Sequence, residues 1–208
     1  MRDFHKPVFF DGLRLDHFEE ARDPVTINRI AHDTAHLLLE RSRSAHDESL
    51  VRRLTHYTDE HGLDTIAELW ANASERSLAG ILWRVYLLRS VIMQRPGTLG
   101  ELYDLGRASV SIADEVIAGV ADPVGPDEVR TTSEEILRGV FAGDLAVALR
   151  RAAAFAHLVA LGCLRRADVL DAFDVEQASA FTLRARRFDE LSVAFARGAQ
   201  LWQEDALD

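Results

Sequence analysis

The run SERSLAGILWRVYLLRSVIMQ, from Ser74 to Gln94, is apolar on nearly every side of the helix that it predicts. Pro96 marks its end, because proline cannot continue a helix and disfavours helical geometry in the residue before it. A helix that is hydrophobic all round is one that neighbouring segments surround. We therefore expect this run to be a buried central helix, with the other segments packed against it.

The rest of the chain also carries mostly helical patterns. Asp23-Pro24 predicts a helix that ends near Arg43, and Pro126 predicts the start of another. A length of 208 residues suits one well-buried domain. We predict an all-α fold, a single-domain bundle of about seven or eight helices. The segment ADPVGP, residues 121–126, is an internal linker in this prediction, since prolines and glycine stop a helix.

Residues 1–22 are predicted to differ from the rest of the chain. The sequence PVFFDGLRL places Asp11-Gly12 between two short runs, and Asp-Gly is a strong signal for a two-residue hairpin turn. We expect a short N-terminal β-hairpin or an extended arm that packs on the helices or on another copy of the chain.

Two apolar seams occupy the C-terminal part of the chain. Leucines and small residues recur at helical spacing over residues 145–163, and large aromatics alternate with small residues over residues 178–202. We expect a turn between them, around residues 165–168. The seams predict either an antiparallel helix pair or a dimer interface, and the pattern fits both. A further periodic segment, residues 99–120, predicts one more helix.

Composition narrows the classes of function. The formal net charge is −10, so the molecule as a whole repels the phosphate backbone of nucleic acids. The single cysteine, Cys163, excludes an intrachain disulfide and a cysteine-rich zinc site, and we interpret it as a small core residue. The charge-free run from Ala152 to Leu164 is too short to span a bilayer, and no secretory signal opens the chain. We expect a cytoplasmic protein without a membrane partner.

Two arginines interrupt the central run and suggest a ligand-binding site, Arg84 and Arg89. The helical neighbours of Arg89 at three and four positions are all able to bury, so its guanidinium needs a carboxylate or carbonyl groups. One hypothesis is an anion or ligand site in the core of the bundle. The structural alternatives are an internal ion pair and a side chain that extends to the surface.

Two histidines suggest a metal site. His32 and His36 are four residues apart, the spacing that lets both rings reach one ion. Their sequence, HDTAH, resembles the HExxH helix of zinc peptidases, with Asp33 in place of the general-base glutamate. The side chains available as further ligands are Glu40, His17, His56 and His61. The apolar stripe predicted for this helix includes Ile30 and Leu37, which leaves both histidines on a solvated face.

Residues 169–187 suggest a third site, a degenerate helix-turn-helix for DNA. A helix, a break near Asp174 and a second helix follow the rhythm of that motif. The second helix carries Arg184, Arg186 and Arg187. Asp174 stands where such turns usually have glycine, and the surrounding charge is negative. The alternative is an ordinary helix–helix corner with a solvated arginine edge, and nucleic acid is not the expected partner.

Three strings resemble a group of all-helical bacterial proteins to which no activity is assigned. They are LWRVYLLR at 82–89, ADEVIAGVADP at 113–123 and GVFAGDLAVALRRAAAF at 139–155. The resemblance covers residues 70 to 160. It implies a bacterial origin and transfers no site residue.

Sequence motifs of catalysis are missing. The chain has no glycine-rich phosphate loop, no GxSxG nucleophile and no Cys–His arrangement. We predict no catalytic residue and no cofactor, and we favour a non-catalytic role while leaving an enzyme open. Our hypothesis is an acidic homodimer that acts through protein–protein contacts, in a regulatory or structural role. A DNA-binding regulator and a metal- or small-ligand-binding bundle are the alternatives.

Overall fold

The structure is a computed structural model that describes residues 24–44, 70–110, 116–120 and 124–208. These residues contain no β-strand, so the all-α prediction is confirmed for the described part of the chain. The predicted N-terminal arm or hairpin at residues 1–22 lies outside the described residues, as do residues 121–123 of the predicted linker. The principal helices are α1 (Pro24–Ser44), α2 (Leu78–Gln94), α3 (Pro96–Arg107), α4 (Pro126–Ala142), α5 (Leu145–Leu170) and α6 (Val175–Gln203).

The central helix α2 is buried along most of its length, as predicted. It begins at Leu78 rather than at Ser74, because the Ser77 hydroxyl accepts a hydrogen bond from the Gly80 N–H at 3.2 Å and caps the first turn. Its burial is not complete on all sides. Leu87 is half-buried and Val91 is 39% exposed, so one face of the C-terminal half of α2 remains open.

Helices α5 and α6 form an antiparallel pair. The Arg150 guanidinium near the start of α5 donates to the Gln203 side chain at the end of α6, at 3.1 Å. At the other end, Ala167 and Ala178 line the same surface concavity. The two apolar seams therefore meet within one chain. The turn predicted at residues 165–168 is wrong, because α5 continues to Leu170 and the chain turns at residues 171–174.

Helix α3 crosses α5 with the two backbones in close contact. A Cβ atom added at Gly106 would overlap the carbonyl oxygen of Leu158, and one added at Gly162 would overlap that of Leu102. The crossing therefore requires glycine on both helices. The single helix predicted over residues 99–120 is wrong. Helix α3 starts at Pro96 and ends directly after Gly106, at Arg107, where glycine's low helix propensity weakens continuation.

After α6 the chain makes a turn of the kind that usually has glycine in its left-handed position. The Ala206 N–H donates to the carbonyl oxygen of Leu201 at 2.8 Å, and the Asp205 N–H donates to that of Trp202 at 3.3 Å. Asp205 has a φ of 54°, so it adopts the left-handed conformation that such helix ends need. This turn sends the last residues back toward the core.

The returning segment closes on the central helix. Leu207 is buried in the main hydrophobic cluster, and the Asp208 carbonyl oxygen accepts a hydrogen bond from the Leu78 N–H at the start of α2. The first amides of a helix have no acceptor within the helix. The last residues therefore supply a backbone partner that α2 cannot supply for itself.

Candidate functional site

Arg84 has structural partners close to it. Its guanidinium donates to the Gly80 carbonyl oxygen at 2.9 Å and lies 3.6 Å from the Glu75 carboxylate. The Glu75 side chain is mostly exposed, so this pair lies near the surface and differs from the internal ion pair of the structural alternatives. The arrangement gives Arg84 a role at the start of α2.

Arg89 is buried in the core, with 6% of its surface exposed. The alternative in which its side chain extends to the surface is therefore wrong. It lies close to Tyr86, whose pKa is raised well above its usual value by burial and lowered in part by the positive charge of Arg89. The Tyr86 ring also packs 6.3 Å from Trp70 and 6.4 Å from Phe141, measured between ring centroids. Arg89 is thus buried close to a tyrosine that packs among other aromatic rings of the core.

The structure brings His32 and His36 together, with 4.3 Å between ring centroids. The apolar stripe predicted for α1 is only partly right. Ala31 is buried and Leu38 half-buried, as predicted, and His32 is exposed. Ile30 and Leu37 are exposed, however, and Ala35 and Leu39 are buried in their place. His36 is consequently half-buried rather than solvated. Within the described residues, no group of three His, Cys, Asp or Glu side chains is placed to hold a metal ion, so the predicted metal site stays a prediction.

Cys163 is buried, as our interpretation of it as a core residue requires. Burial raises the pKa of its thiol to about 11, and the nearby Arg184 opposes part of that shift. A thiol with a raised pKa is protonated near neutral pH and is a poor nucleophile. The geometry gives this cysteine no catalytic use.

The three arginines of the predicted DNA site do not all lie on one surface. Arg186 makes an ion pair with Glu190 at 2.9 Å and lines a concavity beside Asp168 and Asp171. Arg184 and Arg187 line a different concavity, on the side of α6 that faces α2. The helices α5 and α6 are also antiparallel rather than crossed steeply as in a helix-turn-helix. The corner is therefore the ordinary helix–helix turn of the alternative interpretation.

The turn between α5 and α6 carries an exposed apolar cluster, which we call the hairpin tip. It consists of Val169, Phe173 and Val175, which are 64%, 85% and 66% exposed. The turn is well ordered by hydrogen bonds. The Phe173 N–H donates to Leu170 at 2.9 Å, and the Asp174 carboxylate accepts from the Gln177 N–H at 2.9 Å. Phe173 is thus held out into solvent by a defined turn.

Four acidic side chains lie next to the hairpin tip along the chain, Asp168, Asp171, Asp174 and Glu176, and Arg186 lies beside Asp168 and Asp171. Large exposed aromatics are a recurrent feature of protein-binding surfaces, and the charges next to them help to select the partner. Sequence reasoning missed Phe173, although the signal was present in DAFD, an aromatic between two aspartates inside a predicted break.

A second surface feature, which we call the arginine groove, lies between α2, the start of α3 and α6. Its volume is about 520 Å³. Its floor is apolar and consists of Leu87, Val91, Leu99, Phe188 and Leu191. Its charged lining residues are Arg95, Arg184 and Arg187. The sequence did not reveal this groove, because its walls come from three separate helices.

Among the described helices, α5 alone has the length and apolarity that crossing a membrane requires. The charge-free run from Ala152 to Leu164 is too short to span a bilayer by itself. An arginine stands on each side of it, and α5 extends beyond both arginines. Of its most apolar window, 67% is buried inside the protein, as in the core helix of a soluble bundle. Its apolar surface is therefore mostly used in packing against the neighbouring helices.

No family model, no curated protein and no solved structure matches this chain. The resemblance to all-helical bacterial proteins therefore stays a prediction, and the function has to be argued from the two surfaces described above.

Proposed function

We propose that this protein is a non-catalytic helical protein that binds a partner protein through the hairpin tip. The main observation in support is Phe173, an aromatic side chain that is 85% exposed on a turn that hydrogen bonds hold in place. Burying such a ring in a partner's pocket removes apolar surface from water. Because the turn is already ordered, little conformational entropy is lost on binding.

The acidic side chains next to the tip favour a basic partner. Complementary charge speeds association and excludes wrong partners, and its contribution weakens as salt rises. A symmetric contact between two hairpin tips would bring the Phe173-flanking aspartates of both copies together, which like-charge repulsion disfavours. The homodimer that we predict from the sequence would therefore use another face. A cytoplasmic location is part of this proposal, supported by the largely internal packing of α5.

A photo-crosslinking amino acid in place of Phe173 tests the proposal, with the same amino acid in place of Val193 as control. Val193 is also an exposed apolar residue of the α5–α6 pair, 60% exposed, away from the tip. We expect a basic protein to be captured from Phe173 and not from Val193. The captured protein, once purified, should bind the wild-type chain with an affinity that falls with salt.

Substitutions then show whether the captured protein binds through Phe173 or was crosslinked incidentally. Phe173→Ser should weaken binding of the purified partner by about tenfold or more, the size typical of an aromatic anchor. Val193→Ser should leave the affinity unchanged, and circular dichroism should show both variants folded. Equal capture from the two positions, capture of a second copy of this chain, or unchanged affinity in Phe173→Ser would each contradict the proposal.

A further inference from the structure

We infer that the arginine groove binds a small amphiphile with one anionic headgroup and one apolar tail. The inference does not depend on the hairpin tip, because the groove lies on the side of α6 that faces α2. Its volume of about 520 Å³ falls within the range of small-molecule sites. Phe188 and Leu99 form the deepest part of the floor and are themselves buried.

The three arginines of the groove carry positive charge that their neighbours leave uncompensated. Arg95, Arg184 and Arg187 make no ion pair with any described residue, and none of the described residues that line the groove is acidic. Other arginines of the described residues do pair with carboxylates, among them Arg186 on the same helix. A guanidinium binds a carboxylate or phosphate through two parallel hydrogen bonds.

The first turn of α3 adds backbone donors at the groove, where it meets the last turn of α2. Thr98 lines the groove, and the amides of Gly97 and Thr98 have no acceptor within the helix. Arg184 is already positioned, since its guanidinium lies 5.0 Å from the centre of the Phe181 ring. The groove therefore offers cationic donors beside an apolar floor, and a ligand must carry both characters to use it fully.

The charge of the whole molecule favours a soluble ligand over a lipid bilayer. A net charge of −10 repels an anionic membrane surface, whereas a single small anion experiences mainly the arginines next to it. Carboxylate and phosphate headgroups share the chemistry that the arginines recognise. We therefore assign the groove to a monomeric fatty-acid-like or alkyl-phosphate-like ligand.

Calorimetric titration with dodecanoate and with dodecyl phosphate, below the concentrations at which either forms micelles, tests this assignment. Dodecanol, which has the same tail without a charge, is the matched ligand control. At least one of the two anions should bind saturably, one molecule per chain, and about tenfold or more tightly than dodecanol. The headgroup that binds better identifies which anion the arginines prefer.

Matched variants locate the binding. The double variant Arg95→Gln, Arg187→Gln should weaken binding of the anion about tenfold or more, whereas Arg186→Gln, one residue away on α6 but facing elsewhere, should leave it unchanged. Val91→Glu adds a carboxylate at an exposed position of the floor and should abolish binding without lowering the melting temperature. The Val91→Glu variant therefore tests the location of the ligand if the double variant does not fold.

Several results would overturn the inference. They are the absence of saturable binding of either anion, equal affinity for dodecanol, equal weakening by Arg186→Gln, and binding to phosphatidylglycerol vesicles without binding to the monomeric anions. Unchanged binding in a folded Val91→Glu variant would also overturn it, since the ligand would then lie outside the groove.

Discussion

Cys163 is a single side chain whose burial links the stability of the protein to pH. Its folded pKa of about 11 lies above the ordinary value of 9.0, because burial penalises the thiolate. As pH rises, the unfolded chain therefore loses this proton first. The contribution of this protonated thiol to the free energy of unfolding is fully present below about pH 9 and is lost as pH rises through the folded pKa.

We expect the free energy of unfolding to fall by up to about 1.4 kcal/mol per pH unit between about pH 9 and about pH 11. Urea denaturation from about pH 8 upward measures this slope. Cys163→Val keeps an apolar side chain of similar size and removes the titrating group, so its slope between about pH 9 and about pH 10 should be flatter. An identical slope in this variant would assign the effect to other groups.

At the scale of helices, the crossing of α3 and α5 depends on Gly162. Gly162→Ala should lower the free energy of unfolding by about 3 kcal/mol, because the new Cβ meets the rigid backbone of Leu102 and the helices must separate. Gly97→Ala is the matched control on α3, since its nearest obstacle is a Pro126 side-chain atom at 3.9 Å. Urea denaturation of both variants gives the comparison, and equal stabilities would refute the close crossing.

The individual helices show how much of the fold the sequence predicts. The buried centre was predictable because a run apolar on every face admits few other placements. The buried face of α1 was predictable only in part, since Ala31 is buried as expected but Ala35 and Leu39 are buried in place of Leu37. The identity of a helix follows from local pattern, whereas its rotation about its own axis follows from its packing partners.

The two candidate surfaces illustrate this limit. Phe173 lies within a local sequence signal, an aromatic between two aspartates in a turn, and could have been identified from the sequence. The arginine groove could not, because Val91, Arg95 and Arg187 become neighbours only when α2, α3 and α6 assemble. Arg184 and Arg187 were grouped with Arg186 as DNA contacts although residues one or two positions apart on a helix face different directions, which helical periodicity alone predicts.

At the scale of the whole molecule, the segment after α6 holds the central helix in place. Leu207→Ala should cost about 2 to 3 kcal/mol, the usual result of removing a buried leucine side chain. Thermal and urea denaturation measure this loss, and hydrogen exchange at the Leu78 amide should become faster than in the wild type. Ala206→Ser, at an exposed neighbouring position, should change neither quantity, and an unchanged Leu78 exchange rate in Leu207→Ala would show that the segment does not support α2.

The hydrogen bond between Leu78 and Asp208 also sets an order of events during synthesis on the ribosome. The central helix emerges early, but the carbonyl group that completes its first turn belongs to residues that are translated after the last long helix. Contacts between such distant parts of a chain form late and slow the overall reaction. A nascent chain therefore exposes the start of one of its most apolar helices until the segment after α6 has been translated, the period in which a chaperone that recognises apolar segments has the most to bind.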